Sequence, residues 1–201
     1  MTAQTTLRTT PRRLEIDSDG VAGIATQVPS PNCDARPAGT EVSLIVVHGI
    51  SLPPGVFGGG DVARLFTNEL DASADPFYPG IARLRVSAHF FIRRDGELVQ
   101  FVPCGRRAWH AGVSSWRGRS GCNDFSVGIE LEGTDDAPYK SAQYRRLAQV
   151  ARALRRRYPI RDMVGHSDVA PGRKTDPGAA FDWTHLGRLL GARPTDGCAT
   201  A

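Results

Sequence analysis

One short stretch, residues 163–178, gathers several chemically capable side chains. It reads MVGHSDVAPGRKTDPG and places His166, Lys174 and Asp176 between glycines and prolines, with few apolar residues that could pack. A second histidine, His48, ends the run SLIVVH and precedes a loop rich in glycine and proline. Two imidazoles and one carboxylate are a typical catalytic zinc set, which leaves a fourth position for water and lowers the pKa of that water to about 7. The pattern therefore indicates a candidate zinc site.

Two further residue types would complete such a site. Lys174 lies two residues before Asp176, so both side chains point the same way if the segment is extended. A lysine in that position could stabilise the oxyanion that forms when a carbonyl is attacked. Glu130 projects from the polar face of the predicted strand FSVGIELEG and could accept a proton from water. Glu132 shares this face and is the competing candidate.

Each of these residues also has an ordinary structural explanation. A histidine at a strand end is more often a packed, hydrogen-bonded residue than a ligand. Aspartate favours turns in any protein, and a lysine can simply be a solvated charge. His89 lies inside a predicted hairpin and is an alternative ligand, whereas His185 is predicted on a helix surface. Spacing alone does not decide among these histidines.

Hydrophobic periodicity predicts the elements that would position the site. Strands are predicted at SLIVVH, FSVGIELEG and IRDMVG, and two alternating segments around Asp95-Gly96 predict a β-hairpin. The segment SAQYRRLAQVARALRRRY predicts a helix that ends before Pro159, and FDWTHLGRLLG predicts a second helix with Gly191 after its end. The fold class is therefore predicted as α/β (α+β), with a central mixed β-sheet flanked by helices.

The composition suits a single domain. The chain has 201 residues, of which 40% are hydrophobic and 23% charged, as is ordinary for a globular protein. We expect a flexible N-terminal arm over residues 1–25, a domain over residues 26–191 and a tail over residues 192–201. The first residues lack an apolar signal segment, and no run is long enough to span a bilayer, so we predict a cytoplasmic protein without a membrane partner.

Cysteine and charge content narrow the possible partners. The four cysteines form no CxxC pair, which argues against a cysteine-rich zinc site and favours free thiols. The net charge is +4, and six arginines concentrate in one predicted helix, so nucleic-acid binding is an alternative function. A solvated helix face explains these arginines more simply, because no nucleic-acid motif or interleaved aromatic residue accompanies them. We therefore predict no nucleic-acid partner. The arginines are Arg145, Arg146, Arg152, Arg155, Arg156 and Arg157.

Several stretches together resemble one known family. They are LIVVHGISLPPGVFGG, LRVSAHFFIRRDGELVQFVP, RAWHAGVSSWRGR, CNDFSVGIELEGTD and GHSDVAPGRKTDPG. In this order they resemble the bacterial cytoplasmic 1,6-anhydro-N-acetylmuramyl-L-alanine amidases, zinc enzymes of peptidoglycan recycling that are related to phage-type amidases and peptidoglycan recognition proteins. The resemblance covers about residues 27–190 and implies the fold of that family.

The resemblance implies roles for the matching residues. One zinc ion is expected at His48, His166 and Asp176, with Glu130 rather than Glu132 as the catalytic carboxylate and Lys174 at the oxyanion. The implied substrate is an anhydromuramyl peptide, cleaved between the lactyl group of the sugar and L-alanine. We expect a monomer. Three further residues match the substrate pocket: Arg85, Trp109 and His110.

Two departures from the family pattern concern substrate binding. Family members usually have asparagine where Gly49 stands, and commonly arginine where Gly121 stands, so a sugar contact and a peptide contact are expected to be lost. Arg117 or Arg119 could compensate for the second. A non-catalytic muropeptide sensor of the same fold is the main alternative function, but such relatives usually lack a metal ligand and all three ligand positions are filled here.

Overall fold

The computed structural model describes residues 13–191. We number their strands and α-helices in chain order. The elements are β1 Thr26–Gln27, β2 Cys33–Ala35, β3 Leu44–Ile50, α1 Asp61–Phe66, a 3₁₀ helix Tyr78–Gly80, β4 Phe90–Ile92, β5 Leu98–Gln100, β6 Arg106–Ala108, β7 Ser115–Trp116, β8 Arg119–Ser120, a 3₁₀ helix Cys122–Asp124, β9 Ser126–Glu132, α2 Ser141–Arg157, β10 Asp162–Gly165, α3 His166–Val169 and α4 Trp183–Leu190.

A mixed sheet of six strands forms the centre of the fold, in the order β1-β5-β4-β9-β3-β10. The β4–β5 pair is antiparallel, and the other neighbouring strands are parallel. The predicted hairpin is confirmed: Gly96 has φ of 90° in its turn, a backbone conformation that glycine adopts without steric cost. The predicted fold class, a mixed sheet with flanking helices, is also confirmed.

The two long helices cover one face of the sheet. In α2, Leu147 and Leu154 are fully buried against the sheet residues Val127 and Ile129, in one apolar cluster with Leu186 of α4. Burying side chains of this size contributes about 1.5–3 kcal/mol each. Both helices occur where periodicity predicts them, and α4 is followed by Gly191 with φ of 87°, as a C-terminal cap requires.

The opposite face of the sheet is covered by α1 and by long irregular segments. Leu65 and Phe66 of α1 pack in one cluster with Phe91 and Val99 of the sheet. All seven residues of β9 are buried, including those of its polar side. Burial of the polar face does not follow from the sequence, because alternation shows which residues share a face but not which segments cover it.

The predicted flexible arm is wrong for the part that the structure describes. Leu14, Ile16 and Ala22 belong to the buried core on the α2 side. Arg156 of α2 donates a hydrogen bond to the carbonyl of Leu14 over 2.6 Å, so some arginines of this helix hold the N-terminal segment. Residues 1–12 and the predicted tail, residues 192–201, lie outside the described residues. Among residues 13–191, no helix is both long and apolar enough to cross a bilayer.

Candidate metal centre and cleft

Three neighbouring parallel strands bring the main candidate residues together. His48 lies in β3 directly opposite Glu130 of β9, and His166 follows the last residue of β10, which pairs with β3 on its other side. Because the strands run parallel, their carboxyl ends meet at one edge of the sheet, where sites commonly form in sheets of this kind. The loop after α3 then returns Asp176 to the same edge.

The ligand atoms of His48, His166 and Asp176 form a compact triangle. The two Nδ1 atoms are 2.9 Å apart, and Oδ2 of Asp176 lies 3.2 Å from the His48 nitrogen and 3.1 Å from the His166 nitrogen. Tetrahedral zinc with bonds near 2.0–2.1 Å separates its ligand atoms by about 3.3 Å. The observed triangle therefore fits one face of a tetrahedron, and these residues suit a divalent metal ion with one position open.

The electrostatics of the triangle also suit a cation. Burial lowers the pKa of His48 to about 4, so its imidazole is neutral and offers a lone pair at pH 7. Burial raises the pKa of Asp176, but the adjacent imidazoles outweigh it and hold this pKa below its ordinary value. The neutral imidazole of His48 and the carboxylate of Asp176 thus converge with His166 on a single small space.

Glu130 is distinguished from Glu132 by its surroundings. One Glu130 oxygen lies 3.9 Å from Nδ1 of His48, and the other is buried without a hydrogen-bond partner. Burial, with a smaller contribution from Asp176, raises the pKa of Glu130 well above its ordinary value. Glu132 instead accepts hydrogen bonds from the backbone N–H groups of Gly58 and Arg94. Glu130 is therefore the carboxylate that is free to exchange a proton.

A cleft of about 310 Å³ opens over the triangle. Lys174 is an exposed residue that lines it, and its positive charge acts on both His48 and Glu130. One wall is apolar. It includes Ile50, Leu52, Leu65, Phe66, Phe77, Ile81 and Leu84. His110 also lines the cleft and lies 2.9 Å from His48, so the structure brings these polar groups together as the sequence predicts.

Two predicted substrate contacts lie elsewhere. Arg85 is exposed and donates a hydrogen bond to Asn68, and Trp109 donates its indole N–H to Asp34. Neither residue lines the cleft, so their substrate-binding roles stay predictions. The alternative ligand His89 is fully buried, and its Nδ1 accepts a hydrogen bond from the backbone of Gly128, which makes it a structural residue.

The two departures from the family pattern have different local consequences. A side chain at Gly49 would overlap the hydroxyl of Tyr139, which donates to the carbonyl of Pro177 beside Asp176. Sequence reasoning missed Tyr139, because the apolar periodicity of α2 begins only after it. Near Gly121, Arg117 pairs with Asp162 and Arg119 packs over Phe125. These arginines line a separate pocket and not the cleft, so compensation by either of them stays a prediction.

Comparison with known proteins identifies relatives of this chain. A family model described as N-acetylmuramoyl-L-alanine amidase matches residues 38–179. The 1,6-anhydro-N-acetylmuramyl-L-alanine amidase AmpD of Citrobacter freundii is 57% identical over 174 residues, which cover 86% of this chain and 93% of that protein.

Solved structures agree in fold. The crystal structure of a selenomethionine derivative of AmpD, at 57% identity, matches with a TM-score of 0.84 over 86% of this chain and 97% of the other. The Escherichia coli amidase AmiD, solved as a complex with anhydro-N-acetylmuramic acid-L-Ala-D-γ-Glu-L-Lys, matches at 26% identity with a TM-score of 0.58, over 88% of this chain and 65% of the other.

Proposed function

The chain belongs to the N-acetylmuramoyl-L-alanine amidase family, and from this premise we propose that it hydrolyses the amide between the lactyl group of 1,6-anhydro-N-acetylmuramic acid and L-alanine, a reaction of peptidoglycan recycling. The observation that carries the proposal is the triangle of His48, His166 and Asp176, with the unpartnered, buried oxygen of Glu130 beside it. The high identity to AmpD supports the anhydromuramyl peptide as substrate.

We assign the metal to one zinc ion, held by His48, His166 and Asp176. Zinc supplies Lewis acidity at the amide carbonyl and lowers the pKa of water to about 7. Cobalt or another divalent ion would accept the same ligands, but two imidazoles and a carboxylate with an open position are typical of catalytic zinc.

The remaining chemistry falls to two side chains of the cleft. Glu130 accepts a proton from the attacking water and returns it to the leaving amine of L-alanine, a role that its raised pKa and its unpartnered oxygen support. A bound cation opposes the rise in the pKa of Glu130, so Glu130 is ionised more readily when the metal is bound. Lys174 stabilises the oxyanion that develops on the amide carbonyl.

The apolar wall of the cleft suits the ring and methyl carbons of the sugar, since ligand pockets are mostly apolar with a few polar groups that fix orientation. The asparagine side chain usual in the family is missing at Gly49, so we propose weaker sugar binding in this chain than in its relatives. Such a change affects substrate affinity and leaves the metal ligands and Glu130 in place.

The test is cleavage of a defined muropeptide. Purified protein with measured zinc content is incubated with anhydromuramyl tripeptide or with macromolecular peptidoglycan, and products are identified by mass spectrometry. We expect one zinc per chain and release of the free tripeptide, faster from the soluble muropeptide. If the protein binds zinc but leaves the muropeptide intact, the proposal is contradicted and the non-catalytic sensor is favoured. A cytoplasmic location, a monomeric state and the lack of a nucleic-acid partner stay predictions.

A further inference from the structure

We propose that His110 and Ser126 form a hydrogen-bond relay that determines which nitrogen of His48 faces the metal. The inference rests on the proposed metal site and adds two positioning residues to it. The family resemblance implies only a substrate-pocket role for His110, and Ser126 is the first residue of β9.

The direction of the relay is set at its buried end. The hydroxyl of Ser126 lies 2.6 Å from the carbonyl oxygen of Cys122, and both residues are fully buried. A carbonyl oxygen can only accept, so the hydroxyl donates its one proton there. The Ser126 oxygen is then left as an acceptor for Nε2 of His110, 3.1 Å away.

The position of the proton on His110 determines which nitrogen of the metal ligand His48 is protonated. A neutral imidazole has one N–H and one lone pair, so a proton on Nε2 of His110 leaves its Nδ1 as an acceptor. That Nδ1 lies 2.9 Å from Nε2 of His48, which must then donate. His48 consequently presents the lone pair of its Nδ1 to the triangle, as metal ligation requires.

The adjacent residue orients the second imidazole in the same way. The backbone carbonyl of Ala111 lies 3.3 Å from Nε2 of His166 and accepts its proton, which leaves Nδ1 of His166 free for the metal. The side-chain oxygen of Asn123 accepts from the backbone N–H groups of His110 and Ala111, over 3.1 and 2.8 Å. Two consecutive residues, His110 and Ala111, therefore determine which nitrogen is protonated in each of the two histidine ligands.

Strand β9, which lies below the relay, leaves room for the ring of His110. A Cβ atom at Gly128 of β9 would overlap the ring of His110, so glycine is needed at this position for the ring to approach. Ser126 precedes it on the same side of the strand, since alternate residues share a face. The relay thus occupies a slot between β9 and the segment that carries His110.

Two variants of His110 test the relay. Leucine removes both hydrogen-bonding groups, whereas glutamine retains one acceptor and one donor at the side-chain end. We expect His110→Leu to lower zinc affinity about 10–100-fold in a chelator competition, the usual effect of losing a partner behind a ligand. We expect His110→Gln to recover most of that loss. His185→Leu, the same kind of change on α4, is the matched control and should leave zinc affinity unchanged.

Two further readouts separate positioning from general damage. Thermal unfolding of the metal-free proteins should be similar for His110→Leu and His110→Gln. In ¹⁵N-histidine NMR of the zinc-loaded wild type, His48 should carry its proton on Nε2. If the wild type is active and His110→Leu binds zinc as tightly as the wild type does, the relay is overturned but the proposed function is not. A wild type that holds no zinc would overturn the relay and the proposed function together.

Discussion

Replacing Glu130 by glutamine tests the assignment of the catalytic carboxylate. The substitution keeps the shape of the side chain but removes its ability to accept a proton. Glu130 and Asp176 are the two carboxylates that line the cleft, and Asp176 is committed to the triangle, so no second free carboxylate among the described lining residues can replace Glu130 as the base. General acid–base catalysis contributes about 10²–10⁴-fold. Without a substitute we expect the upper part of that range, about 10³–10⁴-fold in kcat, or roughly 4–5.5 kcal/mol of activation free energy.

The assay measures kcat with anhydromuramyl tripeptide together with zinc content. Glu130→Gln should retain one zinc per chain, since all three ligands are intact, and KM should change little. Glu132→Gln is the matched control, two residues along the same strand. It weakens the hydrogen bonds to Gly58 and Arg94, so it should lower stability by about 1–3 kcal/mol with kcat unchanged. A Glu130→Gln enzyme within about tenfold of the wild-type kcat would refute this reasoning.

Further predictions concern the metal and its surroundings. Asp176→Asn should lower zinc affinity by more than the roughly 10–100-fold that a supporting hydrogen bond is worth, as measured by chelator competition. Tyr139→Phe leaves the buried carbonyl of Pro177 without its donor, so stability should fall by about 1–3 kcal/mol in thermal unfolding. Gly128→Ala should displace the His110 ring and weaken zinc binding, with a cost in stability of about 1–3 kcal/mol. Removing zinc with a chelator should raise hydrogen exchange in residues 166–178 but not in β3 or β9, as measured by mass spectrometry.

Local patterns predict much of the fold in this chain. The α2 and α4 helices and the β4–β5 hairpin follow from periodicity and turn residues, because each depends on contacts close in sequence. Alternation in β9 indicates which residues share a face, but not that both faces are covered, because the covering segments come from distant parts of the chain. The packing of Leu14 and Ile16 is missed for the same reason: their segment has no periodicity of its own.

The candidate site is predictable in composition rather than in geometry. Residue types indicate a histidine–histidine–carboxylate set, and the family resemblance selects His48, His166 and Asp176 from the available residues. Sequence alone leaves His89 as an alternative, and only its buried hydrogen bond to the backbone of Gly128 assigns it a structural role. The supporting residues have no local signal. Ser126 acts on His48 through His110, which is 16 residues from Ser126 and 62 from His48.

The site divides into a part fixed by the sheet and a part carried by a loop. His48 and Glu130 are direct partners in a parallel ladder of seven residue pairs, and slipping that register by one residue would turn Glu130 to the opposite face. Asp176 and Lys174 instead belong to the segment after α3, which has no ladder of its own. A metal ion shared by His48 and Asp176 therefore links the loop to the sheet and brings Lys174 to the same cleft. The loop gains more order from that link than the strands do. Loss of the metal should therefore disorder Lys174, on the oxyanion side of the site, while Glu130 keeps its position in β9.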